Sequence, residues 1–143
     1  MSQVVCTHCG AGNRLPQDRD PLSAKCGQCK SPLFTGGPTA VTGAALDRHR
    51  RMTKGVALLL DVWAPWCGPC RTMAPAFEAA ARQLEPGVRL LKLDSDAEPA
   101  AAGALNVSSI PTLVLYRDGK VIARQAGAMT APQIVDWARR GLA

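Results

Sequence analysis

An apolar run at positions 56–64, interrupted only by Asp61, leads through Pro65 into Trp66-Cys67-Gly68-Pro69-Cys70. A short run that is apolar at successive positions predicts a strand buried on both faces. From Cys67 to about Leu84, apolar side chains recur at helical spacing and predict a helix. Two thiols in the first turn of a helix lie where free N–H groups stabilise a thiolate. The junction therefore predicts thiol–disulfide exchange.

The chain beyond residue 38 alternates between predicted strands and helices. We expect helices at 42–52, 67–84, 99–105 and 130–140, and strands at 56–63, 88–93, 112–116 and 120–126. Asp118-Gly119, between the last two strands, is a strong hairpin signal. This order predicts an α/β protein in which helices cover both faces of a central mixed sheet. We expect His49, on the apolar face of the first helix, to be partly buried.

The cluster Gly36-Gly37-Pro38 is typical of a linker, so we expect a small module at residues 1–37 and a larger domain at residues 38–143. The module contains two further cysteine pairs, Cys6-x-x-Cys9 and Cys26-x-x-Cys29, separated by sixteen residues. That spacing fits a tetrahedral zinc site, with two disulfides as the alternative. The module has few apolar side chains, so we expect one structural Zn²⁺ ion to supply its folding energy.

Length, charge and termini limit the possible functions. At 143 residues the chain can hold one ordinary domain and a small appendage. No segment is apolar enough to span a membrane, and the N-terminus lacks the pattern of a secretory signal. We therefore expect a cytoplasmic monomer, and a reducing cytoplasm favours zinc over disulfides. The net charge of +6 is scattered along the chain, which favours solubility over nucleic-acid binding.

The third cysteine pair is the expected redox site. Cys67, at the helix start, is predicted to attack a substrate disulfide as a thiolate. Cys70 lies one turn further into the helix, so we expect it to be the less exposed, resolving thiol. The pair could instead form half of a metal site, although no further ligands lie nearby in this domain.

Two other residues have more than one interpretation on sequence pattern alone. Asp61 interrupts a strand that is apolar on both faces. It could lie at an edge or bond to backbone, or it could be a buried acid whose raised pKa suits proton transfer. Pro111, in Ile110-Pro111 before a strand, would ordinarily follow a trans peptide bond.

Residues 63–70, Ile110-Pro111-Thr112 and Asp118-Gly119 together resemble the thioredoxin family over about residues 40 to 143. With its cysteine-rich N-terminus, the whole chain resembles the zinc-carrying bacterial members of that family, the thioredoxin 2 type. The resemblance implies a thioredoxin fold preceded by a zinc-ribbon-like module. It also implies a protein-disulfide reductase that acts on disulfide-containing client proteins and is recharged by an NADPH-dependent thioredoxin reductase.

The resemblance also implies roles for particular residues. Asp61 would be the buried proton acceptor for Cys70, with Lys92 nearby, and the Ile110–Pro111 bond would be cis and face the thiols. The residues implied to contact substrate are Trp66, Gly68, Pro69, Ile110, Pro111 and Gly127. The competing hypothesis is a binding protein, either a zinc-dependent redox sensor or a holdase, that uses the N-terminal module.

Overall fold

The computed structural model describes residues 1–143. Its strands are β1 (Ser2–Val5), β2 (Gly12–Leu15), β3 (Thr39–Ala40), β4 (Ala57–Trp63), β5 (Val88–Asp94), β6 (Thr112–Arg117) and β7 (Lys120–Ala126). Its helices are α1 (Gly43–Met52), α2 (Gly68–Leu84), α3 (Pro99–Ala104) and α4 (Ala131–Leu142), with a 3₁₀ turn at Pro21–Ser23. None of the helices combines the length and apolar character needed to cross a bilayer.

The larger domain is built on a five-stranded sheet in the order β3-β5-β4-β6-β7. β3, β5 and β4 run parallel, whereas β6 pairs antiparallel with both β4 and β7. Asp118 and Gly119 join β6 to β7 with φ angles of 50° and 80°, as a tight hairpin turn requires. The predicted central mixed sheet is confirmed.

Helices cover both faces of this sheet, as predicted. Alternate residues of each central strand point to opposite faces, so Leu58 and Leu60 face one layer while Leu59 faces the other. The first layer includes Leu46 of α1 and small side chains of α3. The second contains the buried residues of α2 and α4. These α2 residues include the four that define its predicted apolar face: Met73, Phe77, Ala80 and Leu84.

Side-chain caps fix where the helices begin. Thr42 Oγ1 accepts a hydrogen bond from the amide of Ala45 and starts α1. Thr130 and Gln133 form a capping box that starts α4. Both start points agree with the prediction. His49 of α1 is more deeply buried than expected, at 3% exposure.

The N-terminal module is an antiparallel hairpin, β1–β2, followed by a second cysteine turn. It packs against the larger domain rather than standing apart. Its buried cluster includes Val4, Leu15, Leu33 and Phe34, and Val56 of the larger domain packs into the same cluster. Val56 immediately precedes β4, so the module covers the end of the sheet where β4 begins.

Candidate redox and metal sites

One cysteine pair lies where β4 passes into α2. β4 ends at Trp63, and Cys67 is the N-cap of α2, its Sγ accepting a hydrogen bond from the Cys70 amide at 3.2 Å. Cys67 and Cys70 form a disulfide, with their Cα atoms 5.2 Å apart. A sulfur in the N-cap position faces the positive end of the helix dipole, which favours a thiolate once the bond is reduced.

Burial does not separate the two thiols as clearly as we expected. Cys67 is 4% exposed and Cys70 is 2% exposed, so the order is as predicted but the difference is small. Their positions on the helix differ more. Cys67 caps the helix and Cys70 lies within its first turn, so the dipole argument favours Cys67 as the more acidic thiol.

An exposed surface surrounds the disulfide. Trp66 is 67% exposed, and Gly68 and Pro69 are also exposed. On the other side, the carbonyl oxygen of Ile110 lies 3.8 Å from Cys67 Sγ. The Ile110–Pro111 peptide bond is cis, as the resemblance implied and sequence pattern alone did not.

Gly127 borders this surface from the end of β7. Its amide donates a hydrogen bond to the Pro111 carbonyl at 2.8 Å, and its φ of +100° is unfavourable for other residues. No atom lies within 4 Å of where a Cβ would stand. The space beside Gly127 is therefore open, whereas Pro111 itself is buried.

Asp61 lies beneath this surface, in the middle of β4. It is fully buried, and neither carboxylate oxygen has a hydrogen-bond partner. Burial raises its pKa to about 7, and the positive charge of Lys92 opposes part of that shift. Asp61 is thus the buried acid rather than an edge residue, and it can gain or lose a proton near neutral pH.

Lys92 occupies the position opposite Asp61 on β5. Its ammonium group lies 4.6 Å from the centre of the Trp63 ring, which holds the charge by a cation–π contact. Asp61, Trp63 and Lys92 share the sheet face that α2 covers, since residues two apart on a strand point the same way. The buried acid therefore has a fixed positive neighbour.

The four N-terminal cysteines form a compact cluster. Their sulfur atoms all lie within 4.8 Å of one another. Cys6 Sγ lies 3.7 Å from Cys29 Sγ, and Cys9 Sγ lies 3.6 Å from Cys26 Sγ. Tetrahedral zinc with Zn–S bonds of about 2.3 Å would place its sulfurs about 3.8 Å apart, so the cluster fits that ion. It does not contain the two disulfides of the alternative interpretation.

The two cysteine turns have matching backbone geometry. The amide of Gly10 donates to the Cys6 carbonyl, and the amide of Lys30 donates to the Cys26 carbonyl, each at 2.9 Å. Gly10 and Lys30 both have positive φ angles, of 80° and 67°. Further amides point at sulfur, including that of Gln28 toward Cys26 Sγ at 3.4 Å. Such donors favour thiolates over thiols, as metal binding requires.

Comparison with known proteins identifies the family. The thioredoxin family model matches residues 41–140, and a second model, described as Thioredoxin 2, N-terminal, matches residues 5–31. The chain belongs to the thioredoxin family. It has the thioredoxin fold and the thiol–disulfide oxidoreductase activity of that family, and its N-terminal segment is of the thioredoxin 2 type.

Individual relatives support this assignment over most of the chain. Thioredoxin C-3 of Corynebacterium nephridii is 37% identical over 134 residues, covering 94% of this chain and 91% of that protein. Thioredoxin of Chlamydia muridarum is 47% identical over 78 residues, covering 54% of this chain and 76% of that protein.

Solved structures agree with the fold. A mutant thioredoxin from Halobacterium salinarum NRC-1 matches with a TM-score of 0.67 and 30% identity, covering 75% of this chain and 92% of that chain. Fasciola hepatica thioredoxin matches with a TM-score of 0.62 and 35% identity, covering 70% of this chain and 94% of that chain.

One buried charged residue near the cysteine cluster was missed in the sequence. Arg89 lies in the run Val88-Arg89-Leu90-Leu91 and is 2% exposed. It contacts the module beside Cys6, as does Arg48 of α1 beside Cys9. The signal for Arg89 was present, because a charged residue inside an apolar strand is the same pattern that drew attention to Asp61.

Proposed function

We propose that this thioredoxin reduces protein disulfides through Cys67 and Cys70. The observation that carries this proposal is the disulfide-forming pair at the N-terminus of α2, with the buried Asp61 on the adjoining sheet face. A Gly-Pro pair between the cysteines is typical of the reducing members of the family.

The reaction has two exchange steps. The Cys67 thiolate attacks a client disulfide, forming a bond to one client sulfur while the other leaves as a thiolate. Cys70 then gives its proton to Asp61 and attacks Cys67 Sγ, which releases the second client thiol. Two electrons pass to the client, and the protein is left with the Cys67–Cys70 disulfide.

Client binding is assigned to the surface around the thiols, where Pro111 is buried, Ile110 is half-buried and the other proposed residues are exposed. The proposed contact residues are Trp66, Gly68, Pro69, Ile110, Pro111 and Gly127. Supporting this, the Ile110 carbonyl faces Cys67 and the space beside Gly127 is open. An extended client segment could therefore pair with backbone rather than with particular side chains, which suits many different clients.

We propose that an NADPH-dependent thioredoxin reductase returns the oxidised protein to the dithiol, and that the protein works in the cytoplasm. The test is a coupled assay with purified protein, reductase and NADPH on a disulfide-bonded test protein. We expect NADPH oxidation that depends on both the protein and the test disulfide. Absence of client reduction, with a control thioredoxin active in the same assay, would reject the proposal.

We further propose that residues 1–37 form a module that holds one structural Zn²⁺ through Cys6, Cys9, Cys26 and Cys29, and that residues 38–143 form the catalytic domain. The cluster geometry supports zinc. Elemental analysis of the purified protein, with thiol titration before and after unfolding, tests it. One zinc per chain and four thiols that react only after unfolding are expected.

The competing role is a redox sensor or holdase, and one observation favours the sensor. Cys9 is exposed, which gives an oxidant access to the cluster. A sensor would release zinc at peroxide doses similar to those that oxidise Cys67 and Cys70. Retention of zinc after full oxidation of that pair would reject the sensor.

A further inference from the structure

Arg89 is a buried cation at the boundary between the catalytic domain and the module. It comes from β5 and is 2% exposed. Its guanidinium lies 4.5 Å from the centre of the Phe34 ring, and Nη2 donates to the Val5 carbonyl at 3.4 Å. Phe34 and Val5 both belong to the module, and Val5 directly precedes Cys6. A charge from the catalytic domain is thus enclosed beside the cysteine cluster.

Arg89 forms no direct ion pair with a carboxylate. The chain's two ion pairs join Arg51 to Asp47 and Arg140 to Asp136, so no carboxylate is within ion-pair distance of Arg89. A guanidinium has five N–H donors, and Arg89 makes one hydrogen bond to the protein with them, at 3.4 Å. Such burial is unfavourable unless opposite charge lies nearby.

The negative groups that act on Arg89 are Glu85 and Cys6. Burial lowers the pKa of the Arg89 guanidinium, and the charges of Glu85 and the Cys6 thiolate oppose that change. Glu85 is itself buried, and one of its oxygens already accepts a hydrogen bond from the Gly36 amide. The other oxygen of Glu85 has no partner, so this carboxylate and the cysteine cluster together compensate the charge of Arg89.

Arg48 approaches the same cysteine turn from the other side. Its Nε donates to the carbonyl of Gly10, directly after Cys9. The two arginines therefore hold the chain immediately before Cys6 and immediately after Cys9. His49 adds no charge here, because burial and the positive charges of Arg89 and Arg48 lower its pKa to about 4.

We propose that Arg89 and Arg48 are outer-sphere cations of the zinc site, so that zinc occupancy and docking of the module on the catalytic domain are coupled. Zinc bound by four thiolates carries a net charge of −2, which offsets the buried guanidinium. The two arginines bind the carbonyls of Val5 and Gly10, which adjoin the ligands Cys6 and Cys9. A metal that fixes this cysteine turn therefore also fixes the groups to which the arginines dock. Zinc binding and docking of the module are then thermodynamically linked. Docking on the two arginines strengthens zinc binding by the same factor by which bound zinc strengthens docking.

The first test compares zinc affinity by chelator competition in full-length variants. Arg89→Met keeps the length of the side chain and removes its charge, so zinc should bind roughly tenfold more weakly or worse. Arg139→Met is the matched control, because it removes the same charge from an exposed site on α4. The control should stay close to wild type. An unchanged affinity in Arg89→Met would overturn the proposal.

The second test separates this coupling from simple packing. All three tryptophans, Trp63, Trp66 and Trp137, lie in the catalytic domain, so their fluorescence follows unfolding of that domain alone. Zinc removal should lower the unfolding midpoint of wild type and lower that of Arg89→Met much less. If the Arg89→Met substitution lowers the unfolding midpoint by the same amount with and without zinc, Arg89 contributes only through packing. That result would reject the coupling.

If Arg89→Met does not fold, two further variants test whether the charges of these arginines strengthen zinc binding. Arg89→Lys retains the charge and should retain most of the zinc affinity. Arg48→Met alters a partly exposed residue and should weaken zinc binding to a smaller degree. A normal zinc affinity in folded Arg48→Met, together with a large loss in Arg89→Lys, would contradict the assignment of these charges to the metal site.

Discussion

Asp61 and Lys92 lie directly opposite each other on the parallel strands β4 and β5. Their side chains share the sheet face beneath α2, where water is excluded from the carboxylate. Burial raises the pKa of Asp61 to about 7 and Lys92 limits that rise. Asp61 can therefore exchange a proton near pH 7.

Asp61→Asn should make the protein more stable at alkaline pH. The folded pKa of Asp61, about 7, is above its ordinary value of 3.8, so the folded state holds this proton longer than the unfolded chain. The free energy of unfolding of the wild-type protein should therefore fall by roughly 2 to 4 kcal/mol as the pH rises through 7 and Asp61 loses its proton. Denaturant unfolding at pH 5 and pH 8 should show this loss in wild type and not in the variant.

The comparison of variant with wild type also removes the effect of His49. The pKa of His49 is lowered to about 4, so this residue destabilises the protein as pH falls below its ordinary value of 6.5. That contribution has the opposite sign and is the same in both proteins. A parallel pH dependence in the two would contradict the buried titration of Asp61.

Asp61→Asn should also slow the second exchange step. Without the carboxylate, Cys70 has no buried proton acceptor, and turnover at pH 7 should fall roughly 10- to 100-fold. Rapid quenching with acid and mass spectrometry should show more of the mixed disulfide between Cys67 and a client. A lower turnover without that accumulation would place the role of Asp61 in an earlier step.

Cys70→Ser should trap clients covalently. The Cys67 thiolate can still attack, but no resolving thiol follows, so a stable mixed disulfide should accumulate. Non-reducing electrophoresis should show it, and a reductant should release it. Cys67→Ser is the matched variant and should trap nothing, whereas trapping through Cys70 would reverse the two assigned roles.

Trp66→Ala should selectively weaken the binding of protein clients. Trp66 is 67% exposed beside the thiols, and loss of an aromatic contact of this kind is worth about 1 to 2 kcal/mol in binding. KM for a protein disulfide should rise roughly tenfold, while reaction with a small disulfide stays unchanged. Val121→Ala, at an exposed site on β7, is the control for removal of apolar surface.

Replacement of Cys6, Cys9, Cys26 and Cys29 by serine should unfold the module and leave most of the disulfide-reducing activity. The proposed catalytic residues all lie beyond residue 38, with Cys67 and Cys70 past the far end of β4 and Asp61 within that strand. Zinc content and circular dichroism check the loss of the module, and turnover checks the retained activity. Complete loss of activity in a folded catalytic domain would contradict the division at residues 37 and 38.

Local sequence signals were sufficient for most of the catalytic domain. Thr42, Thr130 and the Asp118-Gly119 pair act on their immediate neighbours, and each begins or ends an element where predicted. Asp61 was identified because a charge in an apolar strand needs an explanation. The four zinc-type cysteines were identified by spacing alone, which short turns preserve.

Features that depend on distant contacts were not predictable in the same way. The strands β1, β2 and β3 have at most four residues each, and their pairing is set by neighbours rather than by their own pattern. An X-Pro sequence does not determine whether its bond is cis, so pattern alone led to the wrong isomer for Ile110–Pro111. The burial of Arg89 depends on where the module docks, which no local pattern encodes.

The position of the module has a kinetic consequence. β4 begins beside the module at Ala57 and ends beside the redox pair at Trp63, a strand length of about 20 Å. Sulfur atoms at opposite ends of a rigid sheet cannot exchange within one molecule. Direct thiol–disulfide exchange between the two cysteine sets therefore requires two molecules, and its rate scales with the square of protein concentration.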